Sequence, residues 1–379
     1  MATVLIRPSV FRFGAEELDA SILEENLKNI GLDLYVFELS KDSFGICVRR
    51  WKGGKQILED DVPLTGNLNI RSQIVHLLIG DPANRYYLKL GFGSEIERYL
   101  RSRNIEVVNI ISSNSSLLGV SLSIKCKNRI SRSVNFEPKH YFQENGISIK
   151  TPFVYLLKIW ASLIERTFSH VLSISPNDME DYLHFPSIKK IELFPLQQLQ
   201  NLVPLDTSQK DSILNVGFLG STFNVKHNRA GLDFIVDEVA DLLRISKVQL
   251  NIYGVKAPNR TYAPNVRIHG WVEPISSIYE LNDIFVVPYL GGTGQQSKFF
   301  EPLCMGKLLI ADPNVTAGYP LVPNLHFLEA KTASEFAEVI ANISRKVIPT
   351  NQILESALEF CQYHFSKSKN ISTLKRFLV

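Results

Sequence analysis

Cysteine is scarce and scattered in this 379-residue chain: Cys47, Cys126, Cys304 and Cys361 form no C-x-x-C pair. Neither a structural zinc site nor a disulfide framework is indicated, so the thiols read as buried and free in a reducing compartment. Long apolar runs are also missing, and none approaches the roughly 18 uncharged residues that a membrane span needs. The longest candidate, TPFVYLLKIWASLIERTF, is broken by Lys158, Glu165 and Arg166 and reads as a buried helix. The opening MATVLIRPSVFRFG has no long apolar stretch and meets Arg7 and Arg12 early, which argues against a signal peptide. The expected location is the cytoplasm, with peripheral contact at the inner face of a membrane as the furthest departure from it. Charge of one sign is lacking too. A net charge of +3 gives no broad field for nucleic acid, which is not expected as a partner. What is present is a globular composition, 45% hydrophobic and 21% charged, in a chain long enough for two or three domains.

Short apolar strands alternate with amphipathic segments. ATVLIRP has a strand pattern, and ELDASILEENLKNIG predicts a helix with Leu18, Ile22, Leu23 and Leu27 on one face, closed by Gly31. LDLYVFEL follows as a strand, and FGICVRRW with KQILEDDV predicts a hairpin about Gly53 and Gly54. IVHLLIGD, EVVNIIS and LGVSLSIKCK continue the pattern less clearly. The proline- and glutamine-rich stretch near 185–212 reads as a connector, after which strand and helix alternate again. The expectation is an α/β protein with two Rossmann-like domains facing a central cleft. Its parts are an N-terminal domain at 1–190, a linker at 191–212, a second domain at 213–360 and a closing helix at 361–379.

The sharpest local signal is VVPYLGGTGQQSKFFEPLCMGKLLIAD. A buried strand ends at Pro288, and a loop with Gly291, Gly292, Thr293 and Gly294 leads into a helix. In open parallel sheets ligands bind beyond the carboxyl ends of the strands. Glycines let the backbone approach a diphosphate, and free amides at the helix start point at it. Lys298, about one turn into the helix, adds a full positive charge. Glu301, on the same helix, offers acceptors suited to a ribose diol.

The segment from Gly291 to Gly318 resembles the C-terminal signature of family-4 retaining glycosyltransferases, a glycine loop followed by K-x-x-E and G-K-P-V-V-A. The resemblance implies the GT-B fold, a carboxylate at Glu301 for the donor's ribose, and loop amides with nearby cations for its diphosphate. That family's E-x7-E pattern places a glutamate where this chain has Thr293; a subset carries a GTG-type loop instead, as here. The role of that glutamate beside the sugar's reactive end is then vacant or filled by Thr293 or Gln295. LNVGFLGSTFNVKHNRAGLDFIVDEV resembles the first strand and helix of the family's donor domain. It sets Gly220, Ser221 and Asn228 beside the phosphates, with Lys226, His227 and Arg229 as candidate cations. VRIHGWVEPISSIYELNDIFVVP resembles the base-flanking segment, where Trp271 either stacks on a nucleobase or sits in the core.

In the first half, RFGAEELDASILEENLKNIGLDLYVF resembles the family's opening glycine motif, with Gly14 as the second glycine and Phe13 in place of the first. RSVNFEPKHYFQENG resembles H-N-x-E-x-x-Y-F, which gives Asn135 and Glu137 as catalytic candidates with Thr293, while Val134 stands at the histidine position. SHVLSISPNDMEDY places Ser175 and Asp178 at a helix N-cap. Lys125, Lys127, Arg129 and Arg132 form a basic run without acids, read either as a solvated strand edge or as an approach to anionic lipid.

The resemblance implies a glycosyltransferase of polysaccharide or glycoconjugate synthesis that moves a hexose-type sugar from UDP, GDP or dTDP to a hydroxyl. The acceptor is a glycan, a lipid-linked saccharide or a protein. No cofactor is expected, the nucleotide-sugar being substrate. No Asp-x-Asp lies at an expected strand end, so no metal is expected either. Retention at the anomeric carbon is implied by resemblance alone. A GT-B-fold sugar-nucleotide epimerase and a catalytically degenerate binding subunit remain alternatives.

Overall fold

The computed structural model describes residues 1–9, 15–40, 45–78, 82–133, 136, 139, 152–153, 156, 168–184, 188–205 and 213–378. Gly14, Asn135 and Glu137 lie outside the described residues, as does most of the helix expected over 151–168. The chain divides into two compact units, Met1–Gln198 joined by Lys367–Val379, and Leu199–Ser366.

Six strands of the first unit run parallel: β1 (Ala2–Pro8), β2 (Leu34–Ser40), β5 (Val107–Ser112), β6 (Asn128–Ser133), β7 (His170–Ser173) and β8 (Lys190–Leu193). Two antiparallel strands, β3 (Gly45–Lys52) and β4 (Lys55–Pro63), extend one edge, giving the order β4-β3-β2-β1-β5-β6-β7-β8. The hairpin falls where it was expected. Gly53 and Gly54 take φ of 58° and 76°, the pair of positive values that a two-residue turn needs to match strand twist.

β1 is apolar on both faces because both are covered. Val4 and Ile6 pack with Phe37 and Phe92 on one side, and Leu5 packs with Leu23 and Leu27 of α1 (Ala15–Ile30) on the other. Gly31 ends α1 at φ 81°, the left-handed C-cap expected of it. Leu18 departs from the expected apolar face and is 46% exposed. Asp19, one place on, is buried instead.

Two short apolar runs expected as strands are helices. IVHLL belongs to α2 (Ile70–Leu78), followed by α3 (Pro82–Lys89) and α4 (Phe92–Ser102), and LGVSL forms α5 (Leu118–Leu122). Runs of that length carry no periodicity that separates a strand from a buried helix turn. Ser175 caps α6 (Pro176–Leu183), its hydroxyl accepting from the Asp178 amide at 3.2 Å, as the sequence predicted. The connector expected from 191 begins later, because Lys190–Leu193 pairs with β7 as an edge strand.

The basic run is only half a surface: Lys125 and Lys127 are exposed, whereas Arg129 and Arg132 are turned inward. β6 lies between β5 and β7, so its side chains face covered layers rather than an edge. The Arg132 side chain is 0% exposed and makes a two-pronged ion pair with Asp19 at 2.9 and 3.0 Å. It also donates to the carbonyls of Phe194 and Pro195. Arg129 donates to the carbonyls of Ser121 and Ile124. Both the solvated-edge reading and the lipid reading fail for these two arginines.

The sheet of the second unit is wholly parallel. It contains β9 (Leu214–Thr222), β10 (Val248–Val255), β11 (Val266–Gly270), β12 (Ile284–Val287), β13 (Leu308–Ala311) and β14 (Leu328–Glu329), in the order β11-β10-β9-β12-β13-β14. This is the doubly wound order in which the chain starts at the middle, builds outward one way, then returns to build the other. The direction reverses between β9 and β12. α7 (Lys226–Asp233) runs through a π-helical stretch, Phe234–Val239, into α8 (Ala240–Leu242). Ile235, Val236 and Val239 pack there on Val216, Phe218, Leu250 and Ile252. The remaining helices are α9 (Ser276–Leu281), α10 (Ser297–Cys304), α11 (Ala333–Ser344) and α12 (Asn351–His364). Thr332 and Glu335 cap α11 reciprocally. The closing segment expected as one helix breaks at Phe365 and Ser366, and its second half, α13 (Lys367–Leu378), packs on α1 in the first unit. Leu374 and Phe377 fill the core beside Leu23 and Leu27 there.

Candidate functional site

In doubly wound sheets the loops that leave the carboxyl ends of the strands splay apart at such a reversal, here between β9 and β12, and ligands bind there. Each loop is shaped for close approach. At the end of β9, a Cβ on Gly220 would lie 2.1 Å from the Phe223 ring, so only glycine fits. Ser221 then takes a left-handed φ of 42° and turns the chain toward α7. Beyond β12, Gly291, Gly292 and Gly294 have φ of 111°, 93° and 70°, conformations that L side chains rarely adopt.

The two loops meet. The Cβ position of Gly291 lies 3.5 Å from the His227 side chain, and that of Gly292 lies 3.8 Å from the His227 ring and 3.0 Å from Gln296. The glycine loop therefore rests on the first turn of α7. Asn228 ties the elements together: its Nδ2 donates to Ser221 Oγ at 3.3 Å and to the Thr222 carbonyl at 3.2 Å. Its Oδ1 accepts from Lys298 Nζ at 3.4 Å. Lys298 is thereby tied through Asn228 to the loop that leaves β9.

The three candidate cations on α7 are also distinguished. Arg229 is engaged by Asp233 at 2.9 Å, whereas Lys226, at the start of the helix, is exposed. The amides of the first helical turns of α7 and α10 add partial positive charge at the same edge. An anion with oxygens on several sides is what this arrangement suits.

Glu301 sits one turn further along α10. Its Oε2 accepts from the buried Tyr279 hydroxyl of α9 at 2.8 Å. Burial, and then the Glu301 carboxylate, push the Tyr279 phenol well above its ordinary value, so it stays protonated and keeps donating. One carboxylate oxygen is thus anchored and the group's direction fixed. Nothing in the sequence marked Tyr279 as this anchor, because the contact joins two helices 22 residues apart in the chain.

The structure brings Ser221, Lys226, Gly291, Gly292 and Lys298 to one edge, with Thr293 and Gly294 on the same loop and Glu301 on the same helix. Trp271 stands apart at the end of β11, the outer strand, 53% exposed, with its indole Nε1 donating to Glu273 at 2.8 Å. It is not a core tryptophan. Among the described residues no group of three or more His, Cys, Asp or Glu could hold a metal ion. Among them, too, no helix is long and apolar enough to cross a membrane.

Comparison with known proteins follows the same line. Residues 214–346 match the family described as glycosyl transferases group 1. No curated protein matches the chain as a sequence. Among solved structures, the sucrose-phosphate synthase of Thermosynechococcus elongatus superposes with a TM-score of 0.64 at 15% identity, covering 99% of this chain and 98% of that one. HepE of Anabaena, solved with UDP and glucose, gives a TM-score of 0.59 at 11% identity, covering 100% and 99%. A TarM variant of S. aureus, solved with fondaparinux, alpha-GlcNAc-glycerol and UDP, gives 0.56 at 13% identity. There 76% of this chain is covered, and the chain spans 58% of that protein's length. The chain has the GT-B fold, and its second unit carries the sequence pattern of the group 1 glycosyl transferases.

Proposed function

We propose that the protein is a glycosyltransferase that takes a sugar from a nucleoside diphosphate and attaches it to a hydroxyl acceptor. The observation that carries this reading is the Ser221–Asn228–Lys298 connection, which ties a lysine to the loop after β9 at the strand-order reversal of the second unit, where the glycine loop rests on His227. Lys298, Lys226 and the amides of the loop hold the diphosphate. Glu301 receives the ribose hydroxyls, and Trp271 lies on the base side.

As the bond between the anomeric carbon and the diphosphate breaks, the electron pair leaves with the diphosphate. The positive groups at the strand ends stabilise that growing charge. The acceptor oxygen bonds to the anomeric carbon, and its proton passes to an oxygen of the departing diphosphate. Thr293 stands where the family-4 pattern has a carboxylate, so the sugar's reactive end meets a hydroxyl there. Asn135 and Glu137 remain candidates on the acceptor side, with Gly14 on the donor side of the same unit. Retention and independence of divalent metal belong to this proposal, as does an acceptor among glycans, lipid-linked saccharides and proteins. HepE and TarM were solved with UDP, which makes UDP-sugars the first donors to test.

The test is a thermal-shift screen against UDP, GDP, dTDP and their sugars, followed by transfer and hydrolysis assays with and without EDTA. One nucleoside diphosphate is expected to raise the melting temperature, by about 2.7 kcal/mol of stabilisation at a hundredfold excess over its Kd. Turnover is expected to persist in chelator. Binding without turnover across the donor panel would favour a degenerate binding subunit; no binding at all would refute the reading.

A further inference from the structure

The sheet face of the second unit turned away from α7 carries a chain of polar side chains that the donor site described above does not use. Leu250 and Ile252 of β10 face the apolar core, so Asn251 and Tyr253 point the other way. Asn282, just after α9, donates from Nδ2 to the Ile278 carbonyl at 2.7 Å and to Tyr253 Oη at 2.8 Å. A backbone carbonyl only accepts, so the orientation of this amide is fixed. Its Oδ1 accepts from Asn251 Nδ2 at 3.0 Å. Asn251 therefore turns Oδ1 toward His269, whose Nε2 lies 2.9 Å away. Facing an acceptor, Nε2 must carry the proton.

The consequence reaches the other ring nitrogen. Burial, and then Arg267, hold His269 below the ordinary imidazole value, so the ring is neutral near pH 7 and Nδ1 is a bare acceptor. The ring is locked in place, stacked on Tyr253 with centroids 4.7 Å apart and planes 15° from parallel. Asn251 pairs in register with Arg267, so Nε2 points back along β11. The two nitrogens of an imidazole point to nearly opposite sides, which turns Nδ1 toward the carboxyl end of the strand. There Gly270, at φ 72°, delivers the chain to Trp271.

We propose that His269 is a specificity-determining residue of the donor site, its Nδ1 accepting a hydrogen bond from the protonated ring nitrogen of the donor's base. This inference rests on the nucleotide-sugar reading and deepens it. Uracil, thymine and guanine present a ring N–H on their pairing edge. Cytosine presents a lone pair there, which would face the lone pair of Nδ1. The amide chain from Ile278 through Asn282 and Asn251 sets the tautomer that makes the distinction.

The experiment is a calorimetric titration of the full chain with UDP, CDP and N3-methyl-UDP. Wild type is expected to bind UDP about tenfold more tightly than either of the others, the cost of one unmade or repelled hydrogen bond in a binding site. His269→Phe keeps a ring on Tyr253 and is expected to bring the UDP-to-CDP ratio close to one. His269→Gln, which can donate to Asn251 and still offer an acceptor, is expected to keep part of the preference. If wild type binds UDP but does not discriminate, or if His269→Phe keeps the wild-type ratio, the inference is wrong and the donor site stands. Should His269→Phe fail to fold, the comparison of UDP with N3-methyl-UDP in wild type decides alone. If wild type binds no nucleoside diphosphate, the donor reading fails and this inference fails with it.

Discussion

Lys298→Met is expected to lower kcat/KM for the best donor by on the order of 10²–10³, the usual loss when one preorganised group on a developing oxyanion is removed. Methionine keeps the length and apolar stem of lysine, so α10 retains its packing while the charge and the bond to Asn228 are lost. Because charge grows on the diphosphate as the bond breaks, most of the loss should appear in kcat rather than in KM. Glu301→Gln separates the other half of the site. Glutamine still accepts from Tyr279 and keeps that buried phenol satisfied, whereas alanine would leave it unpaired. The glutamine variant should therefore raise KM for the donor with little change in melting temperature. Steady-state kinetics on both variants check this. A Lys298→Met variant with a raised KM and an unchanged kcat would show instead that the lysine binds substrate and transition state alike.

Arg132→Met is expected to destabilise the first unit by about 3–5 kcal/mol, because it strands a charged partner away from water. Asp19 would keep its carboxylate, 1% exposed, with the Gln197 amide at 2.7 Å as a remaining donor. The carbonyls of Phe194 and Pro195 would lose their donor as well. Arg132→Lys should recover little, since an ammonium cannot span a carboxylate and two carbonyls as the guanidinium fork does. The double change Arg132→Met with Asp19→Leu should recover much of the loss, because an apolar pair avoids the buried charge. Urea unfolding followed by a first-unit probe such as Trp51 measures the difference. An Arg132→Met midpoint equal to that of wild type would show that the pair carries no such weight.

The same arginine marks where sequence reasoning stops. Lys125, Lys127, Arg129 and Arg132 look alike as letters, and only the position of β6 inside the sheet makes the last of them a buried tie to Asp19, 113 residues earlier. The second unit was more legible because its signals are local. Gly291, Gly292 and Gly294 take positive φ, which glycine signals locally, and the apolar runs of β9, β10 and β12 are buried on both faces. The hairpin at Gly53 and Gly54 was legible for the same reason. Partners that meet across the fold were not. The Tyr279 hydroxyl on Glu301 and the Asn282–Asn251–His269 chain each join segments that only the sheet order brings together. The helices α2 and α5, expected as strands, show the further limit that a short apolar run has no period to read.

The central claim is that backbone amides at the end of β12, with Lys298 beside them, bind a pyrophosphate. Glycine-selective 15N labelling tests it directly, since the chain has only 21 glycines. On titration with the nucleoside diphosphate that the thermal screen selects, the amide signals of Gly291, Gly292 and Gly294 should move together and saturably. The corresponding monophosphate should move them far less. Saturable binding that leaves those three signals still while other glycines shift would put the phosphates elsewhere and contradict the account.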